Sequence, residues 1–312
     1  MARPLRITYP GAFYHVTSRG NEQKDLFKSQ RDREKFLEYL ESATERYGAV
    51  FHAYCLLSNH YHLLIETPEG NLSQIMRHIN GAYTTYFNVK RKRAGHLFQG
   101  RFRAILVEAD EYATVLSRYI HLNPVRAGMV ARPEDYRWSS YRSYIGQKTE
   151  IEWLKIDYIL GYFGNRGKDA GKKYRTFVEE LIGQEYDNPL HGISGTAILG
   201  TSGFVEMVTA TYLAAREVDR AVPEIRQYKV FPEPEEIQKA ASSVMEENEK
   251  LARQVAMYLC HKYSGKKLRE IGNLFGVGET AIAESRRLLT RKLDQNKKLC
   301  EKVEKVKAML KI

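Results

Sequence analysis

His60-Tyr61-His62-Leu63-Leu64-Ile65 decides how this chain is read. Alternate residues of a strand face the same side. His60 and His62 therefore point together, and Tyr61 points to the opposite face. Two neighbouring imidazoles on a rigid strand are the start of a divalent-metal site, but two ligands leave such a site incomplete. On the pair alone a second reading stays open, two structural histidines hydrogen-bonded on a sheet.

The flanking sequence supplies the rest of a sheet. Val50 to Leu57 reads as a strand joined to Tyr61–Glu66 through Ser58-Asn59, which makes a hairpin with His60 at its turn. Upstream, Ala12 to Ser18 reads as a strand ending at the Gly20-Asn21 turn. A helix over Asp32–Tyr47 carries Phe36, Leu37, Leu40 and Ala43 at helical spacing and stops at Gly48. Downstream come a helix over Leu72–Val89, a strand over Phe102–Glu108 and a helix over Asp110–Leu122. The order strand–helix–strand–strand–helix–strand, with one helix appended, gives an α+β class. It matches a ferredoxin-like antiparallel sheet with helices on one face.

The chain has 312 residues and a formal net charge of +11. That length exceeds the usual single domain, and the charge favours a polyanionic partner, nucleic acid before others. The expected division is a first domain over 1–147, finished by the Tyr136–Tyr144 tail, and a helical connecting region over 148–235 with a glycine-rich connector at His191–Gly203. A helical domain over 236–312 follows, beyond the prolines at Pro232 and Pro234. Cys55, Cys260 and Cys300 are too dispersed for a disulfide framework or zinc ribbon. No signal-like opening and no membrane-length apolar run is present, so no membrane partner and a cytoplasmic location are expected.

Two further stretches carry chemistry. In Arg118-Tyr119-Ile120-His121-Leu122-Asn123-Pro124-Val125-Arg126-Ala127, Tyr119 and Asn123 are one helical turn apart and share a face. An amide carbonyl suits magnesium or manganese, and a phenol can act as a covalent nucleophile. With twenty-one tyrosines in the chain, Tyr119 as a packing residue is the competing reading. Because Asn123 precedes a proline, it is expected at a frayed helix end. His121 is a substitute ligand, although two residues along a helix it faces elsewhere.

The second stretch, Gly70 to Val107, holds no acidic residue but contains Arg77, Lys90, Arg91, Lys92, Arg93, Arg101 and Arg103. Tyr83, Tyr86, Phe87 and Phe98 lie among them. Cations neutralise phosphates and exposed aromatics stack on unpaired bases, so this is a candidate DNA surface. A basic solvated helix end with buried aromatics is the alternative. Arg19, Arg126, Arg137 and Arg142 are weaker candidates.

Ser58-Asn59-His60-Tyr61-His62-Leu63-Leu64 followed by Arg118 to Ala127 resembles the single-tyrosine HUH transposases, in particular their REP-associated branch. Phe13-Tyr14-His15-Val16-Thr17-Ser18-Arg19-Gly20-Asn21 and His96-Leu97-Phe98-Gln99-Gly100-Arg101-Phe102 match as well. The resemblance covers roughly the first 145 residues and implies the HUH nuclease fold. It implies cleavage and rejoining of single-stranded DNA at hairpin-containing repeats. Tyr119 would form a 5′-phosphotyrosyl link while His60, His62 and Asn123 hold Mg2+ or Mn2+. A monomer or a homodimer is compatible with it. The alternatives are a non-transposing DNA-binding regulator of the same fold, or a metal-dependent phosphodiesterase with a structural tyrosine.

Near the C-terminus, Lys266 to Val277 reads as a helix ending at a glycine turn, and Glu279 to Leu293 as a second helix with Arg286, Arg287, Arg291 and Lys292. This is a helix-turn-helix pattern for duplex DNA, with a helical tail that only packs as the alternative. With Arg253 to Tyr258 it resembles the duplex-binding domain of the replication initiator DnaA. Gly278-Glu279-Thr280-Ala281-Ile282 departs from that family's Asp-His-Thr-Thr-Val signature, so the initiator's base preference does not carry over.

Overall fold

The structure is a computed structural model. It describes residues 5–147, 151–164, 168–184, 188–194, 197–214, 225, 228, 231–245, 248–310 and 312. The chain divides into two compact units, Met1–Gln227 and Tyr228–Ile312.

The first unit is built on strands β1 (Ala12–Arg19), β2 (Val50–Leu56), β3 (His60–Thr67) and β4 (Arg103–Val107), with helices α1 (Gln30–Tyr47), α2 (Leu72–Lys90) and α3 (Ala109–Arg126). Local chemistry sets these boundaries. The Ser29 hydroxyl accepts from the Asp32 amide to start α1, and Gly48, at φ 64°, closes it in the left-handed conformation. Antiparallel pairing runs β2-β3-β1-β4 across the sheet.

Strand alternation divides the packing between two faces. Tyr61 points towards α1 and α2, against Phe36, and its hydroxyl donates to Asn80 Oδ1 at 2.7 Å. Phe36, Leu40, Tyr61 and Tyr83 are wholly buried on this side. Each contributes on the order of 2 kcal/mol from apolar burial. The expected arrangement of helices on one face describes α1 and α2. The appended α3 takes the other face, because Leu64, Ile105 and Val107 also present an apolar surface there, on which Leu116 and Ile120 pack.

Short helices α4 (Tyr141–Tyr144), α5 (Asp157–Leu160), α6 (Lys168–Glu179) and α7 (Ser202–Val208) complete the unit. The Trp138–Ser140 segment hydrogen-bonds to the outer edge of β2, where the Leu56 amide donates to Trp138 O and the Ser140 amide to Tyr54 O. This covers an otherwise open strand edge. At the other end the stretch expected to be a connector holds β5 (Ile193–Ser194) and β6 (Ile198–Leu199). β6 pairs parallel to β4 and extends the sheet to the order β2-β3-β1-β4-β6-β5. Two-residue strands leave no alternation to read, which is why sequence missed them.

In the second unit the described residues form helices α8 (Pro234–Val244), α9 (Glu249–Tyr263), α10 (Leu268–Phe275), α11 (Glu279–Gln295) and α12 (Lys297–Met309). Val255, Leu259, Ile271, Ile282 and Leu289 lie in its core. The α10–α11 turn is tight. A Cβ on Gly272 would meet Val277 O at 2.6 Å, and Gly276 is left-handed at φ 62°. No helix among the described residues is long and apolar enough to cross a membrane.

Candidate active site

The sheet register explains how the site assembles. On β3, His62 lies opposite Thr17 of β1, and Leu64 lies opposite His15. His15 and His62 are thus diagonal neighbours on the α3 face. Their rings are stacked, 5.2 Å between centroids and 10° between planes, with His15 Nε2 and His62 Nδ1 2.9 Å apart. His60 is on the same face, 5.1 Å from His62.

α3 brings Tyr119 over this group. Its ring stands edge-on to His62 at 5.8 Å and to His15 at 6.1 Å. The Arg126 guanidinium lies 5.1 Å from the Tyr119 ring. Asn123, one turn beyond Tyr119, is half-buried, and its Nδ2 donates to Tyr119 O at 2.8 Å. That bond fixes which way the amide points and leaves Oδ1 as an acceptor with no donor among the described residues.

Asn123 does not sit at the frayed helix end expected from Pro124. α3 continues through Pro124 to Arg126, and the Ala127 amide donates to Asn123 O. Proline removes one amide near the end of a helix that already has its packing face anchored. His121 is not a substitute ligand. It is wholly buried on the other side of α3, where Nδ1 meets the Tyr174 hydroxyl and Nε2 the Ser140 hydroxyl, each at 2.7 Å.

The electrostatics favour neutral imidazoles. Burial, with Arg103 second, pushes His15 down to about 3. Burial also lowers His62 well below its ordinary value, helped by His15, His60 and Arg126. His60 is lowered by burial and by Arg19. Neutral imidazole is the form that binds metal.

A divalent cation fits the donors. His60 Nδ1–H donates to Asn59 Oδ1 at 2.7 Å, and Asn59 Nδ2 donates in turn to Gln23 O at 3.2 Å. This fixes His60 with Nε2 as the unprotonated nitrogen. His62 Nε2 is buried with no hydrogen-bond partner. Two imidazole nitrogens and the Asn123 carbonyl make a mixed nitrogen–oxygen set. Among the described residues no group of three His, Cys, Asp or Glu side chains is arranged to hold a metal ion.

Residues 8–123 match the family of IS200-like transposases. The IS200-like region thus contains β1 with His15, the β3 histidines, and α3 as far as Asn123. A solved REP-associated tyrosine transposase bound to a REP hairpin is similar at 19% sequence identity, over 50% of this chain and 90% of that one, with a TM-score of 0.42. No curated protein is significantly similar in sequence.

The cations anticipated from sequence divide into separate groups. Arg103 lies opposite Thr17 and is exposed on the α3 face of the sheet, and Arg19 lies opposite His60. Arg77 and Arg101 instead line a groove of about 530 Å3 on the α2 side, with Arg6, Ser73 and Thr84. Lys90 and Arg91 are committed to the wholly buried Asp32, at 2.7 and 2.6 Å. Lys92 is exposed in a left-handed turn, and Arg93 donates to His96 O at 3.0 Å. Arg286, Arg287 and Arg291 are exposed on α11 of the second unit, with Arg287 paired to Glu284 at 2.6 Å.

Three of the four expected base-stacking aromatics are core residues. Tyr83, Phe87 and Phe98 are buried, Tyr86 donates to Asp32 Oδ1 at 3.2 Å, and Arg6 covers the Phe102 ring. The groove therefore offers guanidinium groups rather than open π-faces. Sequence reasoning missed His15 and Asn59 as parts of the site. Both lie in quoted motifs, but only the β1–β3 register and the hairpin turn reveal their partners.

Proposed function

We propose that this protein cleaves and rejoins single-stranded DNA through a tyrosine-linked intermediate at hairpin-containing repeats. The observation that carries the reading is Tyr119 edge-on to His62, beneath Arg126 and one turn from Asn123.

Tyr119 would attack the scissile phosphorus in line. The new bond is Tyr119 Oη–P, and the P–O3′ bond breaks. The phenol loses its proton to solvent, the departing 3′ oxygen gains one, and the 5′-phosphotyrosyl link remains on α3. Attack by a second 3′-hydroxyl reverses these changes and releases Tyr119, so the phosphoester is conserved. His60, His62 and Asn123 would hold Mg2+ or Mn2+, which when bound supplies charge stabilisation at the phosphoryl oxygens. Arg126 and Arg103 add fixed positive charge on the same face.

The groove on the α2 side would hold the phosphates of a folded DNA stem through Arg77 and Arg101. The α10–α11 pair would contact duplex DNA as a helix-turn-helix, with Arg286 and Arg291 reaching phosphates.

The test incubates the full chain with labelled single-stranded hairpin DNA and Mn2+, followed by denaturing electrophoresis. A covalent adduct that disappears in Tyr119→Phe is expected. Cleavage that persists in that variant would point to a phosphodiesterase. Hairpin binding with no cleavage under Mg2+ or Mn2+ would point to a regulator.

A further inference from the structure

We infer that His15 is a positioning residue that holds His62 in the tautomer able to bind a cation. The inference rests on the proposed metal-dependent reading of the site. Its basis is the 2.9 Å approach of His15 Nε2 to His62 Nδ1 between two stacked, buried rings.

One proton is shared across that contact, and its location decides what His62 can do. If His15 donates from Nε2, then His62 carries its own proton on Nε2 and offers no lone pair there. If His62 donates from Nδ1, its Nε2 lone pair is free. That nitrogen is buried and unpartnered, and so is His15 Nδ1, which carries the second proton in this arrangement. In water-excluded surroundings an unused nitrogen is costly, and a cation satisfies a lone pair but not an N–H. The same logic already operates next door. The Asn59 carbonyl accepts from His60 Nδ1 and leaves Nε2 as the ligand atom. His15 plays for His62 the part that Asn59 plays for His60, with an imidazole acceptor where outer partners are more often carboxylates or carbonyls.

Rigidity supports the assignment. His15 sits in the middle of β1, paired on one side with Leu64 of β3 and on the other with Ile105 of β4. Its ring also meets the Tyr119 ring edge-on. A change at position 15 therefore alters the orientation of His62 directly, without removing any atom proposed to touch metal or DNA.

The test uses the full chain with His15→Gln and His15→Phe. Glutamine places an acceptor near the Nε2 position, whereas phenylalanine keeps the ring and removes the acceptor. Long-range 1H–15N spectra of the metal-free protein report the His62 tautomer, and water-proton relaxation reports Mn2+ affinity. Expected results are a His62 Nδ1–H tautomer in the parent protein and Mn2+ affinity within about threefold for His15→Gln. His15→Phe should lose about 10–100-fold. A parent His62 protonated on Nε2 would overturn the inference, as would parent-like Mn2+ affinity in a folded His15→Phe. If His15→Phe does not fold, the parent tautomer and the His15→Gln affinity decide. Failure of the wider reading is seen separately. His62→Ala that binds Mn2+ like the parent would remove the metal site itself, and an adduct unchanged in Tyr119→Phe would remove the nucleophile.

Discussion

The Asn123 amide donates to the carbonyl of Tyr119 at 2.8 Å, so the proposed nucleophile and the proposed oxygen ligand are locked into one turn of α3. The bond also orients the ligand, because a committed Nδ2 leaves Oδ1 as the free end of the amide.

Replacing Asn123 with alanine removes that oxygen from the donor set. Covalent adduct formation is expected to fall at least ~10-fold at low Mn2+ and to recover in part at high Mn2+. The fold should survive, because the lost side-chain bond is worth ~1 kcal/mol. Adduct yield against Mn2+ concentration, with a parallel urea melt, checks both. Equal adduct yields at every Mn2+ concentration would exclude Asn123 as a ligand.

A buried carboxylate organises the basic end of α2. Asp32 is wholly buried and receives Lys90, Arg91, the Tyr86 hydroxyl and the Lys28 amide. Burial alone would raise its pKa. The hydrogen bonds from Lys90 and Ser29 and the charges of Arg91 and Lys90 outweigh it, so the net shift is downward. A carboxyl with a folded pKa below its unfolded value of ~3.9 stabilises the fold above that pH. The contribution is lost as pH falls through the folded value. Asp32→Asn should therefore lose stability near neutral pH and flatten the acid limb below pH ~4. Breaking a buried pair costs ~3–5 kcal/mol, and the partial exposure of Lys90 and Arg91 (30% and 29%) brings the expected loss nearer ~2 kcal/mol. Urea titrations from pH 3 to pH 7 on both proteins measure it.

Much of this architecture was legible because local rules applied without competition. Alternation put His60 and His62 on one face and Tyr61 on the other, and Gly48 marked the end of α1. Other features depend on what lies across a strand or a groove. His15 and His62 are 47 residues apart and meet only through β1–β3 pairing. The acid-free run from Gly70 to Val107 looked uniformly available, yet Asp32 of α1 neutralises part of it from outside the run. Tyr83, between basic residues, looked like a stacking platform, but its ring is buried against Phe36 and its hydroxyl donates to the Leu26 carbonyl. Pro124 suggested a helix end, and the packing of Leu116 and Ile120 kept α3 intact beyond it.

Arg77 and Arg101 are exposed in the groove, whereas Lys90 and Arg91 are tied to Asp32. A phosphate contact releases counterions, and each one lost lowers the slope of log affinity against log salt by about one unit. Arg77→Ala and Arg101→Ala should each weaken hairpin binding and reduce that slope while leaving the melting temperature within about 2 °C. Lys90→Ala and Arg91→Ala should do the reverse, lowering stability with little change in slope, because their charge already faces a carboxylate. Fluorescence anisotropy of a labelled hairpin across a salt series, set beside thermal melts, separates the two pairs. If all four variants changed the slope equally, the Asp32 pairing would not be holding Lys90 and Arg91 away from DNA in solution.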